Sequence, residues 1–172
     1  MTAPTEHPVV LALGSNLGDR EETIRAGIRD IAALPGVEVT AASGLVETAA
    51  LKPEGVDTDA PAYLNAVVTV RTALDPHELL GALHGIEREH GRVRDTRWGD
   101  RTLDIDIIDF GCLLVASDDL TVPHPRAAER AFVLAPWLQV APDAALPGLG
   151  RIDALLAATG ETPVEYPAEP LL

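Results

Sequence analysis

A chain of 172 residues, 47% hydrophobic and 23% charged, has the size and balance of one folded domain with its own core. Its net charge of −14 excludes a coating role on DNA or RNA, whose phosphates such a surface repels. No apolar run approaches the roughly 20 residues of a membrane span, and Met1–His7 lacks a signal-like pattern, so no membrane partner is expected and the cytoplasm is the expected address.

Along the chain, Val9–Leu13 is a short apolar run ending in Gly14-Ser15-Asn16, which predicts a buried strand and a turn. Asp19 caps a helix predicted from Arg20 to Leu34, with Ile24, Ile28 and Ile31 on one face and Pro35-Gly36 ending it. Val37–Thr48 reads as a second strand. Ala49–Ala62, rich in Pro, Gly and acids, reads as a mobile loop. Tyr63–Thr72 is the third strand. Asp75-Pro76 opens a second helix whose apolar stripe is Leu79, Leu80, Leu83 and Ile86, and Gly91 stops it. An arginine-rich loop leads to the fourth strand, Leu103–Phe110, a turn at Gly111 and a short run at Leu113–Ala116. Helical stretches follow near Arg126–Leu138 and Arg151–Ala158, and Met1–His7 and Glu161–Leu172 read as loosely held ends of a single domain spanning 1–172. The one cysteine, Cys112, has no partner for an internal disulfide and reads as a small buried side chain.

The order strand–helix–strand–strand–helix–strand is that of a split βαβ unit. The expected fold is therefore α+β: a ferredoxin-like α/β sandwich, a mostly antiparallel sheet with helices packed on one face.

Two charge features point to a site. Of 13 basic residues, five are arginines between Arg88 and Arg101, namely Arg88, Arg92, Arg94, Arg97 and Arg101. A cationic island in an acidic protein suits a polyanionic ligand, and the planar guanidinium matches phosphate oxygens. Just downstream, Leu103-Asp104-Ile105-Asp106-Ile107-Ile108 places two carboxylates on one face of a strand, with Cα atoms roughly 6.6 Å apart. Side by side they repel unless a cation sits between them; the polar face of a half-buried strand is the other reading, and the neighbouring arginines favour the first. Metal-bound polyphosphate satisfies both charge sets. Gly14-Ser15-Asn16-Leu17-Gly18-Asp19 lacks the Lys-Ser/Thr of a P-loop, and the chain has neither a Cys/His zinc cluster nor a Gly-x-Ser-x-Gly turn.

Leu13–Asp19, Tyr63-Leu64-Asn65-Ala66-Val67, Gly91-Arg92-Val93-Arg94 and Arg97-Trp98-Gly99-Asp100-Arg101-Thr102-Leu103-Asp104-Ile105-Asp106 resemble the signature blocks of hydroxymethyldihydropterin pyrophosphokinases. Thr121–Arg126 and Glu129–Leu134 are similar to that family's C-terminal block, and the blocks run in order from Val10 to Pro142. The resemblance implies that the hydroxymethyl oxygen of 6-hydroxymethyl-7,8-dihydropterin attacks the β-phosphorus of ATP, releasing AMP and the pterin diphosphate in folate biosynthesis. It implies two magnesium ions held by Asp104 and Asp106. Arg92 and Arg101 match catalytic arginines, and Asp106 is a candidate to receive the hydroxyl proton. Glu87, Arg92, Arg94, Trp98, Arg101, Ile107, Thr121, His124 and Arg130 match ATP-binding positions. Thr48, Leu51, Tyr63, Asn65, Trp98 and Phe132 match pterin-binding positions, with Phe132 as the stacking ring.

The chain departs from the family pattern where Asp100 replaces Pro, where Ala49 and Ala50 replace prolines, where Asp119 and Pro125 replace a basic and an aromatic residue, and in a longer, more acidic segment Lys52–Ala62. A nucleic-acid-binding module of the same fold needs aromatic and basic residues interleaved on its strands, whereas here the basic residues sit in a loop and the strand carries acids. A catalytically silent ATP- and pterin-binding homologue stays open as the alternative. A monomer is expected.

Overall fold

The structure is a computed structural model that describes residues 4–52, 55–57, 62–91 and 102–172. In chain order the elements are β1 (His7–Ser15), α1 (Arg20–Ala32), β2 (Val37–Ala42), β3 (Leu45–Thr48), β4 (Ala50–Lys52), β5 (Gly55–Asp57), β6 (Tyr63–Thr72), α2 (Pro76–Glu89) and β7 (Asp104–Phe110). There follow β8 (Val115–Ala116), β9 (Thr121–Val122), a 3-10 turn at Ala127–Glu129, α3 (Ala131–Val140), β10 (Ala145–Leu146), β11 (Gly150–Arg151), α4 (Ile152–Thr159) and β12 (Val164–Tyr166).

β1 is an interior strand of the sheet and is apolar on both faces. It pairs antiparallel with β6 on one side and β7 on the other, and β2 and β3 share the far edge of β6. β1, the β2–β3 edge, β6 and β7 are thus the four strands of the expected split βαβ sheet. The helix starts follow the sequence signals. Asp19 accepts the Glu22 N–H at 3.1 Å, and Asp75 forms a capping box with Glu78 ahead of Pro76.

Alternation along β1 divides the core. Val9, Leu11 and Leu13 pack with Ile24, Ile28 and Ile31 of α1 and Leu79, Leu83 and Ile86 of α2. Val10, with Val67 and Ile108, packs on the other face with Val133, Leu134 and Trp137 of α3 and Ile152 of α4. Helices therefore cover both faces, which corrects the expectation of a one-sided sandwich. The added layer follows from Trp137 and Ile152, at 2% and 0% exposure, whose apolar surface needs a sheet face to cover it.

Four further expectations change. The strand expected over Val37–Thr48 is split, because the Ser43 hydroxyl accepts the Val67 N–H at 2.9 Å and donates to the Gly44 carbonyl at 2.7 Å in place of regular ladder bonds. The segment Ala49–Ala62, expected as loop, contains the paired strands β4 and β5. Cys112 is exposed rather than buried: with Gly111 it forms the two-residue turn after β7, at φ of 63° and 54° respectively, closed by Leu113 N–H donating to the Phe110 carbonyl at 2.9 Å. The C-terminal end is not loosely held throughout, since β12 adds to the sheet beside β3 and Arg25 donates to the Glu169 and Pro170 carbonyls at 2.6 and 2.9 Å. Sequence offered little sign of this, for three residues on a sheet edge carry almost no periodicity.

Candidate active site

The site grows from a row of residues across the sheet. Gly14 lies opposite Asn65 on β6 and Asp104 on β7; two residues earlier, Ala12 lies opposite Val67 and Asp106. Alternation sends all of them to the α3–α4 face, where Val67 joins the apolar cluster, Ala12 packs at its border, and Gly14, Asn65, Asp104 and Asp106 line the cleft. With only a hydrogen and a methyl group on it, this end of β1 becomes a trough between Asn65 on one bank and two carboxylates on the other. A Cβ at Gly14 would lie 3.3 Å from Asn65 Oδ1 and 3.5 Å from Tyr63 Cδ1, so the trough has little depth to spare.

On the Asn65 bank, Nδ2 donates to Thr48 Oγ1 at 2.9 Å, which leaves the amide oxygen facing the trough floor. Phe132 stands across from it at the start of α3. Arg130 connects the two ends: its Nη1 lies 4.0 Å from Asp106 Oδ2 and its guanidinium carbon 5.7 Å from the Phe132 ring centroid. The bend between β9 and α3 supplies a rim. There His124 donates its backbone N–H to the Ile108 carbonyl at 2.8 Å, and its Nδ1 accepts the Arg126 N–H at 3.2 Å. Burial first, then Arg130 and Arg126, push the His124 pKa down to about 4, against a smaller opposing pull from Asp104. The ring is neutral near pH 7, and with Nδ1 accepting, its proton is on Nε2, a single donor suited to a phosphate oxygen.

Thr48, Tyr63, Asn65, Asp104, Asp106, His124, Arg130 and Phe132, all named from sequence, line one cleft of about 470 Å³. Three others do not reach it. The Ile107 side chain, 3% exposed, belongs to the α1–α2 core, as its place beside Asp106 on an alternating strand requires. Glu87 is fully buried beneath β7, where Oε2 accepts the Ile105 N–H at 2.9 Å and so occupies a backbone donor of this sheet-edge strand. Thr121 is exposed on β9. Arg92, Arg94, Trp98, Arg101 and the Leu51 side chain lie outside the described residues.

Sequence reasoning missed Ala12, Arg126, Glu129 and Glu161, all of which line the cleft. It took Gly14 as a turn residue rather than as floor. Small residues at alternate positions of an apolar strand were the available signal for the trough. For Glu161, placed by the return of the C-terminal segment, there was none.

Asp104 and Asp106 offer half-exposed carboxylate oxygens on one face, a hard donor set that fits magnesium. Among the described residues no group of three or more His, Cys, Asp and Glu converges on a metal position. A two-carboxylate set suits an ion that keeps waters and takes its other ligands from a substrate polyphosphate.

Paired strand carboxylates, with arginine and imidazole lining the same cleft on a two-sided ferredoxin-like α+β sandwich, are a donor set of the kind that phosphoryl transfer uses. The chain belongs to the 7,8-dihydro-6-hydroxymethylpterin-pyrophosphokinase (HPPK) family, whose model matches residues 10–142. It is 45% identical over 150 residues to the 2-amino-4-hydroxy-6-hydroxymethyldihydropteridine pyrophosphokinase of Pseudomonas aeruginosa, covering 87% of this chain and 90% of that one. It is 48% identical over 136 residues to the mitochondrial folate synthesis bifunctional protein of Arabidopsis thaliana, covering 79% of this chain and only 24% of the longer plant protein. Among solved structures, the Plasmodium falciparum HPPK-DHPS with pterin and p-hydroxybenzoate superposes with a TM-score of 0.69 at 16% identity, over 91% of this chain and 44% of that one, a likeness of fold.

Proposed function

We propose that this cleft carries out the family's reaction, transfer of pyrophosphate from ATP to the hydroxymethyl group of 6-hydroxymethyl-7,8-dihydropterin, with its two banks dividing the substrates. Asp104 and Asp106 take magnesium with the triphosphate, two ions in the reading made from sequence. When bound, the metal neutralises phosphate charge. Arg130, Arg126 and the Nε2–H of neutral His124 face the same end and supply positive charge and one oriented donor. At the other end Asn65 and Thr48 read the edge of the pterin, and Tyr63 and Phe132 supply flat surface for its ring. The trough over Ala12 and Gly14 joins the ends, so the hydroxymethyl oxygen can approach the β-phosphorus while AMP departs on the far side. The new O–P bond replaces the bond to the AMP oxygen, and Asp106 is the candidate to receive the hydroxyl proton.

Arg92 and Arg101 complete the charge neutralisation in this scheme. Arg94 and Trp98 join the ATP end and Leu51 and Trp98 border the pterin, while Glu87 and Ile107, whose side chains are buried away from the cleft, support that end through the backbone of β7. Phosphoryl transfer asks the protein for positioning and electrostatics more than for covalent chemistry, and the cleft offers those. We place the reaction in the cytoplasm and in a monomer, since one chain supplies both banks. Among the described residues no helix is long and apolar enough to cross a membrane.

The observation that supports this reading is the row Asn65–Gly14–Asp104, with an amide and a carboxylate on opposite banks of one glycine floor. Assay of AMP release from ATP with magnesium tests it. Release is expected to depend on the hydroxymethyl pterin; ATP hydrolysis that ignores the pterin would overturn the reading, and no release at all would overturn it in favour of the silent homologue.

A further inference from the structure

The side of the sheet away from the cleft carries a contact that the reaction scheme does not use. Arg20, the first residue of α1, sends Nη1 to Glu47 Oε2 at 2.8 Å and to the Ala62 carbonyl at 2.8 Å. Its guanidinium carbon also lies 5.7 Å from the centroid of the Tyr166 ring. These partners come from three separate stretches of chain. Glu47 immediately precedes Thr48, Ala62 immediately precedes Tyr63, and Tyr166 ends β12. Thr48 and Tyr63 face each other across β3 and β6.

We propose that Arg20 is a positioning residue for the pterin half of the cleft: one guanidinium, acting from beneath the sheet, fixes both stems of the segment between Thr48 and Tyr63 and ties them to the C-terminal strand. The placement follows from alternation. Glu47 shares its face of β3 with Leu45, which packs into the α1–α2 core, so Arg20 meets it there, while Thr48 lies on the cleft face. Arg20 is partly buried, at 23% side-chain exposure, where a charge-assisted bond to Glu47 is screened less than at an open surface. The two N–H groups of one nitrogen serve one partner each, and the guanidinium carbon stands 5.7 Å from the Tyr166 ring centroid. Lysine can supply a cation but not the fixed fork of a guanidinium. β12 lies outside residues 10–142, the part matched by the family model, so the clamp also enlists a segment outside that match.

Selectivity between substrates follows. Asp104, Asp106, His124 and Arg130 stand on β7 and around the start of α3, and among the described residues no hydrogen bond or ion pair joins Arg20 to them, so loosening the clamp displaces Thr48 and Tyr63 and leaves the nucleotide end in place. This inference rests on the assignment of the pterin to the Asn65 bank. The test is steady-state kinetics with each substrate varied in turn, for Arg20→Met and Arg20→Lys, with hydrogen exchange read on amides 46–49 and 62–64. Arg20→Met is expected to raise KM for the pterin roughly tenfold to a hundredfold, the scale of a misplaced contact, with KM for ATP unchanged and Arg20→Lys between it and wild type. An equal rise in both KM values, or an unchanged pterin KM, overturns the proposal. Wild-type protein without pterin-dependent AMP release would instead remove the functional reading. Hydrogen exchange then decides the clamp alone: protection lost only at 46–49 and 62–64 upholds it, and uniform or absent loss overturns it.

Discussion

β7 presents two chemistries on one strand. Ile105 and Ile107 are each 3% exposed and pack among α1 and α2, while Asp104 and Asp106 open into the cleft. Neighbours in sequence are thus divided by a half-turn of pleat into a group that holds the fold and a group that meets the substrate. The same division runs along β1, where Leu11 and Leu13 fill the core and Ala12 and Gly14 floor the trough. Over Leu11–Gly14 and Asp104–Ile107 stability and function are therefore expected to separate by residue parity, whereas at Val10 and Ile108 the cleft face of the same strands turns into core.

The sharpest way to break that comparison is to remove one group of each kind. Asp104→Ala or Asp106→Ala is expected to lower kcat by at least about a hundredfold to a thousandfold, the scale of a lost preorganised charge, with little change in Tm. Ile107→Ala is expected to destabilise by about 2–5 kcal/mol while the folded fraction retains turnover, because the side chain never reaches the cleft. Thermal unfolding and single-turnover AMP release on the same preparations check both. Parity fails as the organising idea if Asp106→Ala melts the protein or if folded Ile107→Ala is inactive.

How much of this was legible beforehand depended on the range of the signal. The acids of β7, the capped starts of α1 and α2, and the strand order were local patterns, and each gave the right element and the right face. The second helical layer was not, because the apolar composition of α3, with Pro136 inside it, shows only that the helix is buried, not which sheet face covers it. The split at Ser43 and the exposure of Cys112 turned on backbone bonds that residue type does not announce. Glu87 shows the same limit at the site: as a helix residue it read as a ligand contact by resemblance, yet its buried carboxylate is committed to the Ile105 N–H.

The trough sharpens the comparison on β1. Gly14→Val fills the floor where a Cβ already meets Asn65 Oδ1 at 3.3 Å, and it is expected to raise the pterin KM by about tenfold or more, with the fold kept because valine favours strands. Gly14→Ala, with only the first carbon added, falls between it and wild type. Phe132→Ala removes a stacking surface worth about 1 kcal/mol beyond burial, so pterin affinity is expected to fall roughly fivefold or more with ATP affinity little altered. Calorimetry with each ligand separates that outcome from an equal loss in both, which would make Phe132 a packing residue.

The smallest effect concerns His124, where parity gives no guidance and the rim turn decides. Its folded pKa of about 4 lies below the unfolded value near 6.5, so below pH 6.5 the unfolded chain takes up the proton first. The neutral ring's contribution is complete above about pH 6.5 and is lost as pH falls toward 4. The ring is partly open to solvent, which screens the charges of Arg126 and Arg130, and the contribution is on the order of 1 kcal/mol. Asp109 acts in the opposite sense, because burial raises its pKa and the folded state holds that proton more tightly as pH falls. Wild type alone therefore mixes the two. His124→Asn keeps an acceptor for the Arg126 N–H and removes the titration, so the difference in Tm between the two proteins isolates the ring. That difference is expected to shift against wild type between pH 6.5 and 4, because only wild type must hold an uncharged imidazole beside two arginines. A difference constant across that range would mean that the ring is solvated in the folded state, and the neutral Nε2–H donor would then be lost from the nucleotide end.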